Sequence, residues 1–162
     1  MARTTASVDG STRKALLVSA AVVVADQLIK AAIIGNRPAL PLDVIPESLR
    51  LVYARNTGIA FGLFEGNNLL LGLLSIAVVV LIARLWPQLR TPIEKYATAL
   101  MLGGTLGNLA DRLLRGSVID YVALAGFPAF NLADAALTIG AALMIAPYIL
   151  RVLKVKNSNK KR

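Results

Sequence analysis

Two aspartates in the sequence are spaced so that they could act together as a pair of carboxylates. Asp120 follows the residues GSVI, and Asp134 lies in the segment FNLAD. Two carboxylates that share one proton can hydrolyse an amide bond, because one takes a proton from water while the other donates one to the carbonyl oxygen. Their repulsion separates the two apparent pKa values and keeps an acid and a base available together. The intervening segment contains Gly126 and Pro128 and can fold back to bring the two side chains together.

The composition excludes most other catalytic groups. The chain contains no histidine and no cysteine, which rules out thiol catalysis, serine–histidine pairs and histidine-based zinc sites. A carboxylate pair, a serine–lysine pair and a metal held by carboxylates alone remain. Ser117 with Lys30 is the serine–lysine pair that the sequence leaves open, whereas Ser75 lies within an apolar stretch and is interpreted as a packing residue. We predict neither a metal nor a cofactor.

Further polar residues lie near the ends of apolar stretches that would place them at one depth in a membrane. An ionisable residue inside a membrane span costs roughly 2.5–3.5 kcal/mol on insertion scales, so several at one depth indicate a site. Together with the two aspartates, the residues of this layer are Asp26, Gln27, Lys30, Asn108, Asp111, Arg112 and Asn131.

The acidic residues also have purely structural interpretations. Asp134 stands where a helix begins, and its carboxylate could cap the free N–H groups there. Asp120 could be a solvated loop acid. Asp26 and Lys30 are four residues apart and could pair along one helix face.

The segment GGTLGNLADR, at the end of the third apolar stretch, also contains residues with purely structural interpretations. Arg112 follows Asp111 directly and could form a local ion pair or bind a lipid headgroup. Gly103 and Gly107 form a small-xxx-small pair, which predicts close helix packing.

The elements that must position these residues are membrane helices. Hydrophobic residues make up 56% of the 162 residues, charged residues 17%, and the mean hydropathy is +0.65, values typical of a membrane protein. Four apolar stretches approach the roughly 20 residues that a helix needs to cross the hydrocarbon core. They predict helices over about 14–34, 67–85, 93–113 and 132–153.

The segment 36–66 between the first two helices contains three prolines, the alternating run LRLVYA and a turn-forming Asn-Thr-Gly, which favour short strands. The predicted fold class is therefore an all-α membrane protein, with four transmembrane helices and a small extracytoplasmic β-rich cradle between helices 1 and 2. We predict one membrane domain over 14–153, an N-terminal tail over 1–13, an outside connection over 114–130 and a basic tail over 154–162.

The charge distribution predicts the orientation. Most of the 18 lysines and arginines fall in the two termini and the connection between helices 2 and 3, whereas most of the nine acids fall on the opposite side. Because basic residues are retained in the cytoplasm, both termini of this multi-pass protein are predicted to be cytoplasmic. The net charge of +9 is interpreted as a topology signal and a contact with anionic lipid, not as nucleic-acid binding.

Five segments, in order, resemble those of the bacterial lipoprotein signal peptidases, the signal peptidase II family. They are DQLIK (26–30), NTGIAFG (56–62), GGTLGNLADR (103–112), SVIDY (117–121) and FNLAD (130–134). The resemblance covers about residues 14–153. One departure is Tyr121, where phenylalanine is more usual; since a ring is kept, we expect little effect on the mechanism.

The resemblance implies a membrane-embedded aspartic endopeptidase that cuts diacylglyceryl-modified prolipoproteins just before the lipidated cysteine, at the extracytoplasmic face. Asp120 and Asp134 match the catalytic aspartates, and no partner beyond substrate and membrane lipid is implied, nor is an oligomer required. The positions that match residues shaping the site and holding substrate are Asp26, Asn56, Gly58, Gly104, Asn108, Arg112, Asn131 and Ala133.

Two other classes remain as alternatives. A small four-span transporter or channel subunit could relay protons or bind a cation through Asp26, Asp120 and Asp134. It predicts a continuous polar path through the membrane, whereas the inner halves of the predicted spans are almost wholly apolar. A structural scaffold would leave the gathered acids and amides unexplained.

Overall fold

The structure, a computed structural model, describes residues 9–58 and 66–159, with the backbone alone described for 151–159. Part of the predicted N-terminal tail (1–8), the IAFG portion of one motif (59–62) and the last residues of the basic tail (160–162) lie outside the described residues. The described chain folds into four long helices and a three-stranded sheet. The helices are α1 (Gly10–Gly35), α2 (Asn68–Leu85), α3 (Pro92–Arg115) and α4 (Leu132–Asn159).

Three helices in the described part of the chain are long and apolar enough to cross a membrane: Gly10–Gly35, Asn68–Gln88 and Leu132–Leu150. Helix α3 is of similar length, but its buried face carries polar side chains, among them Thr105, Asn108 and Asp111. The expectation of four transmembrane helices is therefore not confirmed for α3, because its polar residues lower its hydropathy.

Two helix boundaries differ from the sequence expectation. Helix α1 begins at Gly10 and not near residue 14, because the Asp9 carboxylate accepts a hydrogen bond from the Ser11 N–H at 3.2 Å and also binds Lys95 Nζ at 2.6 Å. Helix α4 continues to Asn159, so residues 154–159 of the predicted tail are helical. Residues 148–159 contain no glycine or proline that would end the helix earlier.

Helix α3 lies at the centre and packs against the other three. A Cβ on Gly103 would lie 2.8 Å from the Ser19 carbonyl oxygen of α1, and one on Gly107 would lie 2.8 Å from Asp26 Oδ2. The prediction that Gly103 and Gly107 permit close packing is confirmed. Gly104 and Gly140 do the same between α3 and α4, where a Cβ would come within 2.2 Å and 2.5 Å of backbone carbonyl oxygens.

The sheet consists of β1 (Leu42–Ile45), β2 (Leu49–Asn56) and β3 (Val118–Leu124), in that antiparallel order. The first two strands lie in the predicted cradle segment. Strand β3 lies in the connection 114–130, for which no strand was expected, so the predicted cradle between helices 1 and 2 is incomplete without it. Strand β3 is only seven residues long and lies between Gly116 and Gly126. It forms a strand because it pairs with β2.

The sheet is joined to the helices by a small hydrophobic core. Ile33 at the end of α1 packs with Ile119 and Tyr121 of β3, and all three are buried. Leu132 of α4 packs against the same cluster. This core brings the start of α4 and the strand that carries Asp120 to the same end of the helix bundle.

Candidate active site

Asp120 is buried in strand β3, with 2% of its surface exposed. Its Oδ2 accepts a hydrogen bond from Asn56 Nδ2 at 2.9 Å, and its Oδ1 accepts one from Asn131 Nδ2 at 2.8 Å. The pairing of β2 with β3 sets Asn56 opposite Val118, two residues from Asp120. The interpretation of Asp120 as a solvated loop acid is therefore wrong, because strand pairing buries it among amide donors.

Asp134 lies in the first turn of α4. Its Oδ2 accepts from the Asn131 backbone N–H at 3.1 Å, while its own N–H donates to Asn131 Oδ1 at 2.9 Å. This reciprocal pair has the form of a capping box, so Asp134 takes part in capping α4, which is one of the two roles that its position in the sequence left open. The other oxygen of Asp134 accepts from Asn108 Nδ2 at 2.7 Å and links the carboxylate to α3.

Two asparagines connect the two aspartates. Asn131 Nδ2 bonds Asp120 and also lies 3.1 Å from Asn108 Oδ1, while the other end of the Asn108 amide donates to Asp134. Because each amide presents a donor and an acceptor on opposite sides, the orientation of one fixes the orientation of the other. The acids are therefore held at the two ends of one continuous hydrogen-bond network.

Burial raises the pKa of Asp120 from its usual 3.8 to about 6. Hydrogen bonds from Asn56 and Asn131 lower this pKa, and the negative charge of Asp134 raises it. Asp120 therefore keeps its proton in weakly acidic solution, where an ordinary aspartate is ionised. A carboxylate pair in which one member is protonated has the acid and the base that the sequence argument requires.

This raised pKa predicts a pH dependence of stability. Asp120 binds its proton more tightly in the folded chain, so its contribution to stability is complete below pH 3.8 and is lost as the pH rises through about 6. The loss amounts to roughly 3 kcal/mol. We expect the melting temperature of the wild type to fall relative to that of Asp120→Asn between about pH 4 and pH 7, measured by circular dichroism in detergent. Parallel pH profiles for the two proteins would contradict this expectation.

A buried lysine lies beside the two asparagines. Lys30 Nζ is 2.8 Å from Asp26 Oδ2, 2.8 Å from Asp111 Oδ2 and 3.1 Å from Asn108 Oδ1, and its side chain is fully buried. The predicted pairing of Asp26 with Lys30 is confirmed. The serine–lysine alternative is wrong, because Ser117 Oγ instead accepts a hydrogen bond from Arg55 Nε at 2.8 Å.

Asp111 is a central residue of this network that the sequence argument placed in the polar layer but not among the catalytic or substrate-binding residues. One of its oxygens accepts from the Ile119 N–H at 3.0 Å, which holds β3 one residue before Asp120. The other binds Gln27 Nε2 at 3.2 Å and the guanidinium of Arg115. Among the described residues, Asp111 forms ion pairs with Lys30 and Arg115 and not with Arg112, the neighbour that the sequence analysis considered. The spacing of Asp111 and Arg115, four residues apart on a helix, is the signal that predicts the observed pair.

A cavity of about 840 Å³ opens beside the aspartates. Its walls come from side chains of α2 and α4, most of them apolar, from more polar side chains of α3 and from residues 127–130. The predicted site residues on its wall are Asn56, Gly58, Asn108, Arg112 and Asp134.

The other five predicted residues lie behind this wall. Asp120 and Asn131 are buried next to it, and Asp26 Oδ1 accepts a hydrogen bond from the Ala133 N–H at 3.1 Å. Gly104 faces the Ala133 carbonyl in the packing of α3 on α4. Asp26, Gly104 and Asn131 contact the first turn of α4, to which Ala133 belongs, and none of the five lines the cavity.

Arg112 is the cation on the cavity wall. Its side chain is half-buried, Nη2 lies 3.4 Å from the Gly58 carbonyl oxygen, and Nε has no hydrogen-bond partner among the described residues. A guanidinium with donors to spare at this position can bind a carbonyl or carboxylate of a molecule in the cavity. In the described residues, no group of three or more acidic side chains is arranged to hold a metal ion, and the absence of a metal stays a prediction.

Fold and site together define a membrane protein with one buried and one half-buried carboxylate beside a largely apolar cavity. The family model for signal peptidase II matches residues 18–150. The chain therefore belongs to the signal peptidase II family.

Individual relatives agree with this assignment. The chain is 37% identical over 131 residues to the lipoprotein signal peptidase of Syntrophomonas wolfei, covering 80% of this chain and 88% of that one. It is 43% identical over 142 residues to the lipoprotein signal peptidase of Mesorhizobium japonicum, covering 81% and 82%. A bacterial membrane enzyme solved by the in meso method at 2.3 Å resolution superposes with a TM-score of 0.74 at 28% identity, covering 92% of each chain.

Proposed function

We propose that this protein is an aspartic endopeptidase that removes the signal peptide from diacylglyceryl-modified prolipoproteins by cutting just before the lipidated cysteine. Family membership supports the peptidase activity. The observation that supports the aspartic type is the hydrogen-bond network that holds Asp120 and Asp134 beside an apolar cavity through Asn108 and Asn131. The alternative of a transporter or channel subunit has no support in the comparisons.

The proposed chemistry uses the shared proton of the pair. One carboxylate takes a proton from a water molecule as that water attacks the scissile carbonyl carbon, and the protonated partner donates to the carbonyl oxygen. Collapse of the tetrahedral intermediate then breaks the C–N bond: the carboxylate takes a proton from one hydroxyl of the intermediate, and the protonated acid gives its proton to the leaving amine, which restores the shared proton. The raised pKa of Asp120 supports a pair that retains a shared proton in weakly acidic solution.

Nine of the ten predicted site residues divide into two proposed roles. Asn56, Gly58, Asn108, Arg112 and Asp134 lie on the cavity wall and would contact the substrate. Asp26, Gly104, Asn131 and Ala133 would act by holding the start of α4, because their contacts are with that helix turn. Asp120 lies directly behind the wall and would reach the substrate once Asn56 releases its hydrogen bond.

The cavity explains why the substrate would be lipidated. More than half of its lining residues are leucine, valine, isoleucine, methionine, phenylalanine, proline or alanine, which favours acyl chains, whereas its polar end lies at the carboxylates. An acyl-modified cysteine presented from the membrane would place its hydrocarbon against the apolar wall and its peptide bond at the acids. The chemistry requires no nucleic acid, cofactor or second subunit.

The proposed topology has four spans, including α3. Helix α3 is surrounded by α1, α2 and α4, which are apolar enough to cross a membrane, and its polar residues face those neighbours. With both termini in the cytoplasm, the sheet and the carboxylate pair would lie at the extracytoplasmic face of the bacterial inner membrane. Residues 14–153 would then form one peptidase domain.

Cleavage of a purified diacylglyceryl-modified prolipoprotein, followed as a gel shift, tests the proposed function. The matched control is the same precursor without the diacylglyceryl group. We expect the wild type to cut the modified precursor and to leave the unmodified one intact. If folded wild type cuts neither precursor, the proposed function is wrong; if it cuts both equally, the lipid is not part of the recognised substrate.

A further inference from the structure

The first turn of α4 is held by side chains from three different parts of the chain. The first N–H groups of a helix have no partner within the helix and need acceptors from elsewhere. In α4 the N–H groups of residues 132, 133 and 134 find Tyr121 Oη at 3.0 Å, Asp26 Oδ1 at 3.1 Å and Asn131 Oδ1 at 2.9 Å. Strand β3, helix α1 and the capping asparagine therefore each hold one donor.

Tyr121 is the member of this set that accepts through a hydroxyl on a buried ring. Its ring is buried, with 5% of its surface exposed, and packs with Ile33 and Ile119. Burial raises the pKa of Tyr121 to about 12, so the hydroxyl is neutral at ordinary assay pH. A phenylalanine at this position would keep the ring contacts and leave the Leu132 N–H without its acceptor.

We propose that the Tyr121 hydroxyl is a positioning group for the cleavage reaction: by accepting the Leu132 N–H, it holds the first turn of α4 against strand β3. That turn carries Asp134, and Tyr121 itself follows Asp120, so this one hydrogen bond ties together the two segments that bear the acids. The proposal rests on the proposed function. It replaces the expectation that a tyrosine at this position has little effect on the mechanism.

Tyr121→Phe tests the proposal by removing one oxygen atom. We expect kcat to fall about tenfold, because an unpaired buried N–H loosens the turn that carries Asp134. KM should change less than about twofold, since Tyr121 does not line the cavity. Tyr148→Phe is the matched control, because it removes the same hydroxyl from a tyrosine that lies far along α4 and is 66% exposed. A Tyr121→Phe protein with a lower melting temperature but an unchanged kcat per folded molecule would overturn the positioning role.

A double-mutant cycle with Leu132→Pro identifies the partner of the hydroxyl. Proline has no N–H and is well tolerated at the first position of a helix, which Leu132 occupies. In the Leu132→Pro background, residue 132 has no N–H that could donate a hydrogen bond to the Tyr121 hydroxyl. We therefore expect Tyr121→Phe to change kcat there by less than about twofold. An equal tenfold loss in both backgrounds would overturn the assignment.

Hydrogen exchange separates this proposal from the proposed function, because it needs no substrate. Amide exchange in the peptide that contains Leu132, measured by mass spectrometry in detergent, should be about tenfold faster in Tyr121→Phe than in the wild type. Unchanged exchange would overturn the proposal even if the enzyme cleaves prolipoprotein. A wild type that fails to cleave would overturn the proposed function, whereas faster exchange would still support the Tyr121–Leu132 hydrogen bond.

Discussion

Asp120→Asn and Asp134→Asn are each expected to lower the rate of prolipoprotein cleavage by about 10³-fold or more, with the protein still folded. An amide can neither take the proton from water nor donate one as a carboxylic acid does, so the remaining acid has no partner. Asparagine has nearly the shape of aspartate and can keep one of the two hydrogen bonds that each carboxylate accepts from neighbouring side chains or backbone. The measurement is single-turnover cleavage of the lipidated precursor.

Asp43→Asn is the matched control for these two variants. Asp43 lies on strand β1, its side chain is 62% exposed, and it pairs with Arg50 at 3.1 Å. Surface ion pairs of this kind contribute little to the stability of the folded protein, so the rate of cleavage by Asp43→Asn should stay within about twofold of that of the wild type. Elution volume and helix content establish that the variants are folded. Near-native turnover by a folded Asp120→Asn or Asp134→Asn protein would remove that residue from the mechanism.

Gly104→Ala is expected to lower cleavage about 100-fold and to reduce stability by about 1–3 kcal/mol. The new Cβ would lie 2.2 Å from the Ala133 carbonyl oxygen and 3.0 Å from the Leu137 nitrogen. Because these are backbone atoms, no side-chain rotation relieves the contact, and α4 must move away from α3. Ala133 immediately precedes Asp134, so this movement displaces one member of the carboxylate pair. Cleavage kinetics and thermal unfolding measure the two effects.

Gly72→Ala is the control for Gly104→Ala. Gly72 is also buried in a helix, but a Cβ on it would have no atom within 4 Å outside its own helix. We expect activity and melting temperature close to those of the wild type. If Gly104→Ala raised KM and left the melting temperature unchanged, Gly104 would contact substrate and the packing role would be wrong.

The membrane helices, the polar layer and the family of this protein could be predicted from local features of the sequence. Long apolar stretches predict helices wherever they occur, and the helices near residues 68–85 and 92–115 fall close to the expected ranges. Residues such as Asn108 and Asp134 are conspicuous because polar side chains are costly within such stretches. The five motifs, read in order, were sufficient to predict the family, and the family model confirms it.

The division of the site into a wall and its support depends on contacts between segments distant in the chain. Strand β3 exists because β2 pairs with it across more than sixty positions, for example Asn56 with Val118. When that pairing is unknown, the sequence is compatible with Asp120 as a solvated acid in a loop. Burial against residues of another element raises its pKa to about 6.

Contacts between distant segments also determine the roles of the α3 glycines and of Tyr121. Gly103, Gly104 and Gly107 are alike in the sequence, yet each faces a different neighbour, and only the packing of α3 between α1 and α4 assigns those neighbours. The hydroxyl of Tyr121 acquires a partner only when the start of α4 lies against β3. Hydropathy and spacing along one chain can therefore predict which residues form the polar layer, whereas hydrogen-bond partners depend on directional contacts within about 3 Å, which the assembled helices and sheet alone create.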